Sequence, residues 1–192
     1  MTKTRLEAFS DGVFAIIVTI MVLELKVPDE TELHALTEML PKFLSYLSSF
    51  VFIGIYWGNH HHLLHTVHHV NSKIIWANMN LLFWLSLIPF VTAWFGEHPS
   101  SEIPVATYAT VFLLCGISYT ILQKVIEKHY THNTKLIEAL KRSGKKGLLS
   151  LVLYSTAIFF AFINPIISVL LVVVVAIMWV IPDKNIEKAL ID

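Results

Sequence analysis

Residues Arg5 to Leu25 read RLEAFSDGVFAIIVTIMVLEL, and the reading of this stretch decides the fold. From Phe9 onward it is apolar enough to cross a bilayer, for which about 20 residues are needed, within a range of roughly 17–25. Yet its entrance carries an arginine, a serine and an aspartate, and Thr19 lies at its middle. Ionisable groups at the mouth of a membrane span are costly unless they are paired or face water. A secretory signal is a poor fit. Glu7 and Asp11 stand where a basic region belongs, and no small-residue cleavage site follows Leu25. The expectation is a retained membrane helix over residues 9–25.

The rest of the chain agrees with a membrane class. Of its 192 residues, 55% are hydrophobic and 15% charged, against roughly 45–50% apolar and about 25% charged in soluble domains. The net formal charge is zero, so nothing points to nucleic acid. The single cysteine, Cys115, sits in an apolar run and has no internal disulfide partner. Further apolar runs cover residues 43–59, opened by Pro41, then 74–95 and 104–122. The run from Gly147 to Ile181 is too long for one span, at about 50 Å for 1.5 Å per residue against a hydrocarbon core of about 30 Å. Asn164–Pro165, a turn signal, divides it into 147–163 and 166–181.

Loop charge gives an independent test. With the N-terminus, the 2–3 loop, the 4–5 loop and the C-terminus on one side, that side holds 12 of the 14 lysines and arginines; Lys26 and Lys42 lie on the other. This bias places both termini in the cytoplasm. The fold class is thus an all-α membrane protein of six transmembrane helices in one domain over residues 1–192. The basic 4–5 loop, with Lys124, Lys128, Lys135, Lys141, Arg142, Lys145 and Lys146, sets topology and is suited to anionic lipid. Gly54 and Gly58 form a Gly-x-x-x-Gly that permits close helix approach. Ser45, Ser48 and Ser49 share one side of the same helix, through hydrogen bonding or close packing.

On a wheel of 100° per residue centred on Ile16, Ile20 and Leu23 fall within about 40°, Thr19 within about 60°, and Phe9 and Arg5 within about 20°. Asp11 lies about 140° away, and Ser10 is intermediate. Asp11 is near the helix N-terminus, where the dipole favours an anion. It reads either as a capping residue or as part of a polar cluster. Trp57 and His60 at the end of the second span, and Asn78 at the start of the third, reach the same depth. A cluster of these would fasten helices 1, 2 and 3 together.

The pattern Arg-x-x-x-Phe-Ser-Asp at the start of a first membrane helix, followed by IIVTIMVLEL, then Trp57 with His60, Asn78, and LIPF with Pro89, resembles the lysosomal/endosomal potassium channel family (transmembrane protein 175). The resemblance is to its short prokaryotic branch, which has one six-helix repeat. It implies a homotetramer with a central pore lined by the first helix of each subunit. Ile16, Ile20 and Leu23 would form an apolar constriction, and Thr19 would offer hydroxyls at the same level. The family's polar network would map to Arg5, Ser10, Asp11, Trp57, His60 and Asn78. On the residues alone, the stripe reads as ordinary helix packing; the resemblance makes it a pore. The implied function is a potassium-permeable cation channel in a prokaryotic plasma membrane, not an enzyme, with no cofactor beyond the permeant potassium ion. Its implied partners are its own copies, the lipid bilayer and monovalent cations. The chain has neither a Thr-Val-Gly-Tyr-Gly carbonyl filter nor an arginine-rich voltage sensor.

The rival is a metal site. Six histidines fall within HHHLLHTVHH, and on a continuous helix His61, His65, His68 and His69 would share a face. Imidazoles at i and i+4 chelate zinc or iron, and His129 with His132 adds a His-x-x-His. This would suit a membrane metal-dependent enzyme or metal-binding protein using residues 60–69. The cluster stands alone, without the further boxes and acidic ligands such enzymes use. A third class, an alternating-access carrier, would call for repeated halves, and the chain has no internal repeat.

Overall fold

Hydropathy marks the apolar middle of each helix, whereas caps and prolines set its ends. The structure, a computed structural model, describes residues 2–28, 31–128 and 134–180, without the side chains of 134–139, 141 and 142. Among the described residues the regular structure is helical: α1 (Lys3–Leu23), α2 (Leu33–His65), α3 (Ser72–Leu85), α4 (Ile88–Glu97), α5 (Glu102–Glu127), α6 (Thr134–Ala161) and α7 (Pro165–Val180). α1 starts well before the apolar run because Thr2 caps it, its Oγ1 accepting from Arg5 N at 3.4 Å. α2 holds Pro41 in its interior rather than at its start. With 33 residues, at 1.5 Å each it is about 50 Å long, and it overruns the bilayer core.

The third apolar run is one span by hydropathy but two helices in space. Pro89 gives no N–H to the Leu85 carbonyl, and its ring crowds that oxygen. Ser86 Oγ donates instead to Phe83 O (2.7 Å), and Leu87 N to Trp84 O (3.2 Å). Taken together as Ser72–Glu97, α3 and α4 remain long and apolar enough to cross a membrane, as are α1, α2 and α5. The chain turns between α6 and α7 at Asn164–Pro165, where Asn164 Oδ1 accepts from Ile166 N at 3.0 Å. α7 has 16 residues, about 24 Å at 1.5 Å per residue, short for a span.

α5 is the central post, packing against α3, α4, α6 and α7. Phe112, Leu122 and Ile126 are fully buried along it, and the Phe112 ring centroid lies 4.3 Å from that of Phe52 of α2, tilted, and 4.8 Å from that of Tyr108, edge to face. Polar groups here are satisfied between helices. Thr92 donates to Ser49 Oγ (2.7 Å), and the Tyr108 hydroxyl pairs with Ser49 (2.9 Å) and Ser48 (3.2 Å). Hydrogen bonding thus accounts for the serine cluster. At the same end of the bundle, Lys42 Nζ meets Glu97 Oε1 at 3.2 Å. A Cβ added at Gly54 or Gly58 would meet no described atom within 4 Å.

Gly96 is the closest of these contacts: a Cβ there would collide with Ser45 Oγ and lie 3.1 Å from the Lys42 Cα. Gly96→Val should therefore part α2 from α4 and destabilise by about 1–3 kcal/mol, the usual range for overpacking. Thermal unfolding of the purified protein in detergent measures it; an unshifted midpoint would contradict this packing.

Candidate pore helix and its polar anchor

α1 has two faces of opposite character. Leu6, Ser10, Phe14, Ile17 and Met21 recur every three or four residues and are buried against α2, α3 and α4. The other side is bare in the protomer: Ile16 is 58% exposed, Ile20 42% and Leu23 77%, against 2% for the adjacent Ile17. Phe9 and Thr19 are exposed on the same side. Thr19 Oγ1 donates its proton to Ile16 O at 2.9 Å. Its oxygen lone pairs are left for an electrophile, as a cation contact needs.

The polar residues hold α1 through two separate arrangements. In the buried one, Ser10 Oγ donates to Leu6 O (2.9 Å), Asn78 Nδ2 donates to Ser10 Oγ (3.0 Å), and His60 Nε2 lies 2.7 Å from Asn78 Oδ1. Asn78 Oδ1 has no proton, so His60 Nε2 must donate. Neutral His60 is thereby fixed as the Nε2–H tautomer, with its ring 5.5 Å from that of Phe14. Donors run in one direction from α2 through α3 to α1. The second arrangement is exposed: Trp57 Nε1 donates to Asp11 Oδ1 at 2.9 Å. Arg5 joins neither, and its guanidinium makes no hydrogen bond or ion pair with another described residue of the protomer. Lys3 Nζ donates to His65 O (2.9 Å), placing a cation on the C-terminal carbonyls of α2.

The remaining histidines do not form one face. α2 stops at His65 with Thr66 as its C-cap, so His68 and His69 lie in the turn that follows. His61 and His65 stack with centroids 6.1 Å apart, while His60 is buried in the Asn78 bond. Among the described residues no group of three or more His, Cys, Asp or Glu side chains is gathered as for a metal ion; His129 and His132 lie outside those residues.

Several membrane-length helices, one with an apolar face left bare and a polar lock on the other, define a multi-pass membrane protein. The sequence signature of the family described as endosomal/lysosomal potassium channel TMEM175 matches residues 5–89. A potassium channel of Chryseobacterium sp. (strain P1-3) is 51% identical over 190 residues, which are 99% of this chain and 98% of that protein. The endosomal/lysosomal proton channel TMEM175 of Gallus gallus is 36% identical over 118 residues, 54% of this chain and 24% of that one. The crystal structure of a lysosomal potassium-selective channel TMEM175 homolog from Chamaesiphon minutus superposes with a TM-score of 0.84 at 30% identity, over 94% of this chain and 97% of the other. The chain belongs to the TMEM175 family, as a single-repeat prokaryotic member resident in the plasma membrane.

Removing one group of the buried chain strands its neighbours. Asn78→Ala leaves the His60 N–H without its partner and Ser10 Oγ without its donor, at a cost of about 1–3 kcal/mol for an unsatisfied buried group. Trp57→Phe breaks an exposed bond and should cost less than about 1 kcal/mol. Unfolding midpoints of the two variants in detergent give the comparison; equal losses would place the anchor elsewhere.

Proposed function

We propose that this protein is a potassium-permeable cation channel, a homotetramer whose central pore is lined by α1 of each subunit. Six spans, with both termini cytoplasmic, carry the charge bias of 12 lysines and arginines against two. The observation that carries the reading is the bare α1 stripe of Ile16, Ile20 and Leu23, set opposite the locked face. A single copy offers one such helix and cannot enclose a path, whereas four copies would bring four stripes to one axis. Membership of the TMEM175 family, and a relative named as a potassium channel over nearly the full length, support the same function.

In this assembly Ile16, Ile20 and Leu23 form an apolar constriction that gates by dewetting. Selectivity has no carbonyl filter to rest on. Thr19 supplies the alternative: its hydroxyl proton is held by Ile16 O, so a ring of four presents only lone pairs. Such a ring favours the cation that sheds water more readily, potassium over sodium. The polar residues Ser10, Asp11, Trp57, His60 and Asn78 act as the frame that aims the stripe, and Arg5 stands outside it in the protomer.

Reconstituted in planar bilayers under a potassium/sodium gradient, the purified protein should give unitary currents reversing toward the potassium potential. Ile16→Asn should raise conductance, because a polar ring holds water in the constriction. Thr19→Val should leave conduction intact and move the reversal potential toward zero. Silent bilayers from folded protein would reject the channel, and an unchanged reversal potential in Thr19→Val would reject the hydroxyl ring.

A further inference from the structure

A second site lies away from α1. Between α2, α5, α6 and α7 there is a slot of about 500 Å³ between protein atoms, part of it open to the surroundings. It is a narrow opening between packed helices. Phe52, Ile55 and Tyr119 line its apolar depth with Gly116, where α5 packs closely on Leu151, and Gly147 leaves room on the α6 side.

Its walls are graded. Ser150 and Tyr154 line the slot on one face of α6, and Lys146, which stands beside the slot rather than in its lining, is one four-residue step before Ser150, each step about 6 Å in depth. At the top, Lys146 Nζ lies 4.8 Å from the Trp179 ring centroid. Trp179 Nε1 donates to Ser150 Oγ at 2.8 Å. Tryptophan and lysine together mark a membrane–water interface. Deeper, Tyr154 is only 2% exposed, yet neither its hydroxyl nor that of Tyr56 bonds another described residue, and both tyrosines line the slot. The same end of the bundle carries Lys124, Lys128 and Lys145, with Glu127 engaged by Gln123 Nε2 at 2.8 Å.

We propose that this slot binds one anionic phospholipid. The phosphate sits by Lys146 on Trp179, the ester carbonyls accept from the unpaired tyrosine hydroxyls, and one acyl chain enters beside Phe52 and Gly116. The order of charge, polar oxygen and hydrocarbon along the lipid matches the order down α6. That the slot opens toward the cytoplasmic leaflet rests on the topology proposed above; the slot itself does not.

The test uses the purified full-length protein in neutral detergent, unfolded thermally with phosphatidylglycerol, with phosphatidylcholine of the same chains, or with inorganic phosphate. Phosphatidylglycerol should raise the midpoint by about 4 °C or more, and the other two should not. Lys146→Gln should lose at least about half of that shift. Gly147→Leu should do the same by filling the slot, since a Cβ there meets only Thr120 Oγ1, at 3.7 Å. Lys73→Gln, an exposed lysine on α3, should keep the full shift. An equal effect of phosphatidylcholine would overturn the headgroup site, and an equal effect of phosphate would overturn the chain-binding slot. No effect of phosphatidylglycerol, or a full shift surviving in Lys146→Gln or Gly147→Leu, would overturn the proposal outright.

Discussion

Inside hydrocarbon no water is at hand, so a buried polar side chain left without a partner in the protein is costly. The chain from His60 through Asn78 to Ser10 and the Leu6 carbonyl meets that constraint, and the placement of α1 depends on it. Every donor and acceptor in the chain has one sensible role, because Asn78 Oδ1 can only accept and Ser10 spends its proton on its own helix. The lock also fixes rotation. With Ser10 turned inward, Phe14, Ile17 and Met21 follow it into the core, and Ile16, Ile20 and Leu23 are left facing out.

That division was half visible in the sequence. The periodicity puts Ile16, Ile20 and Leu23 on one stripe, with Asp11 about 140° away and Ser10 intermediate. It does not say which of those two polar residues faces the bundle. The structure buries the serine and leaves the carboxylate at the exposed edge with Trp57. The reason is energetic: a hydroxyl can bond its own i−4 carbonyl, whereas a carboxylate in hydrocarbon needs a full set of donors or a proton. The mapped network therefore divides into a buried chain and an exposed pair, with Arg5 outside both in the protomer.

Other differences have the same local character. Hydropathy found the apolar middle of α2 but not its length, because its ends lie in sequence no more apolar than a loop. The bend at Ser86 follows from Pro89, but a run as apolar as residues 74–95 reads through a proline that a hydroxyl can compensate. The histidine face failed at one residue, since a C-cap at Thr66 is invisible to a count of spacings. Tyr108, Thr92 and the slot under Lys146 were not legible at all. They arise where distant helices meet, and sequence spacing within one helix carries no trace of that.

The lock also limits how the proposed pore can move. Turning α1 about its axis far enough to carry Ile16 and Ile20 off the stripe would pull Ser10 from Asn78 and expose the Phe14 face to lipid. That loses a buried hydrogen bond and core packing together, at several kcal/mol by the usual costs. A dewetting constriction does not require such a turn, because its hydration responds steeply to small changes in radius. Small displacements of whole protomers, or rotamer changes at Leu23 in the last turn of α1, alter that radius while the bonds to Asn78 and His60 stay intact. The anchor and the gate are thus two faces of one helix, and the rigidity of the first confines the second to small movements.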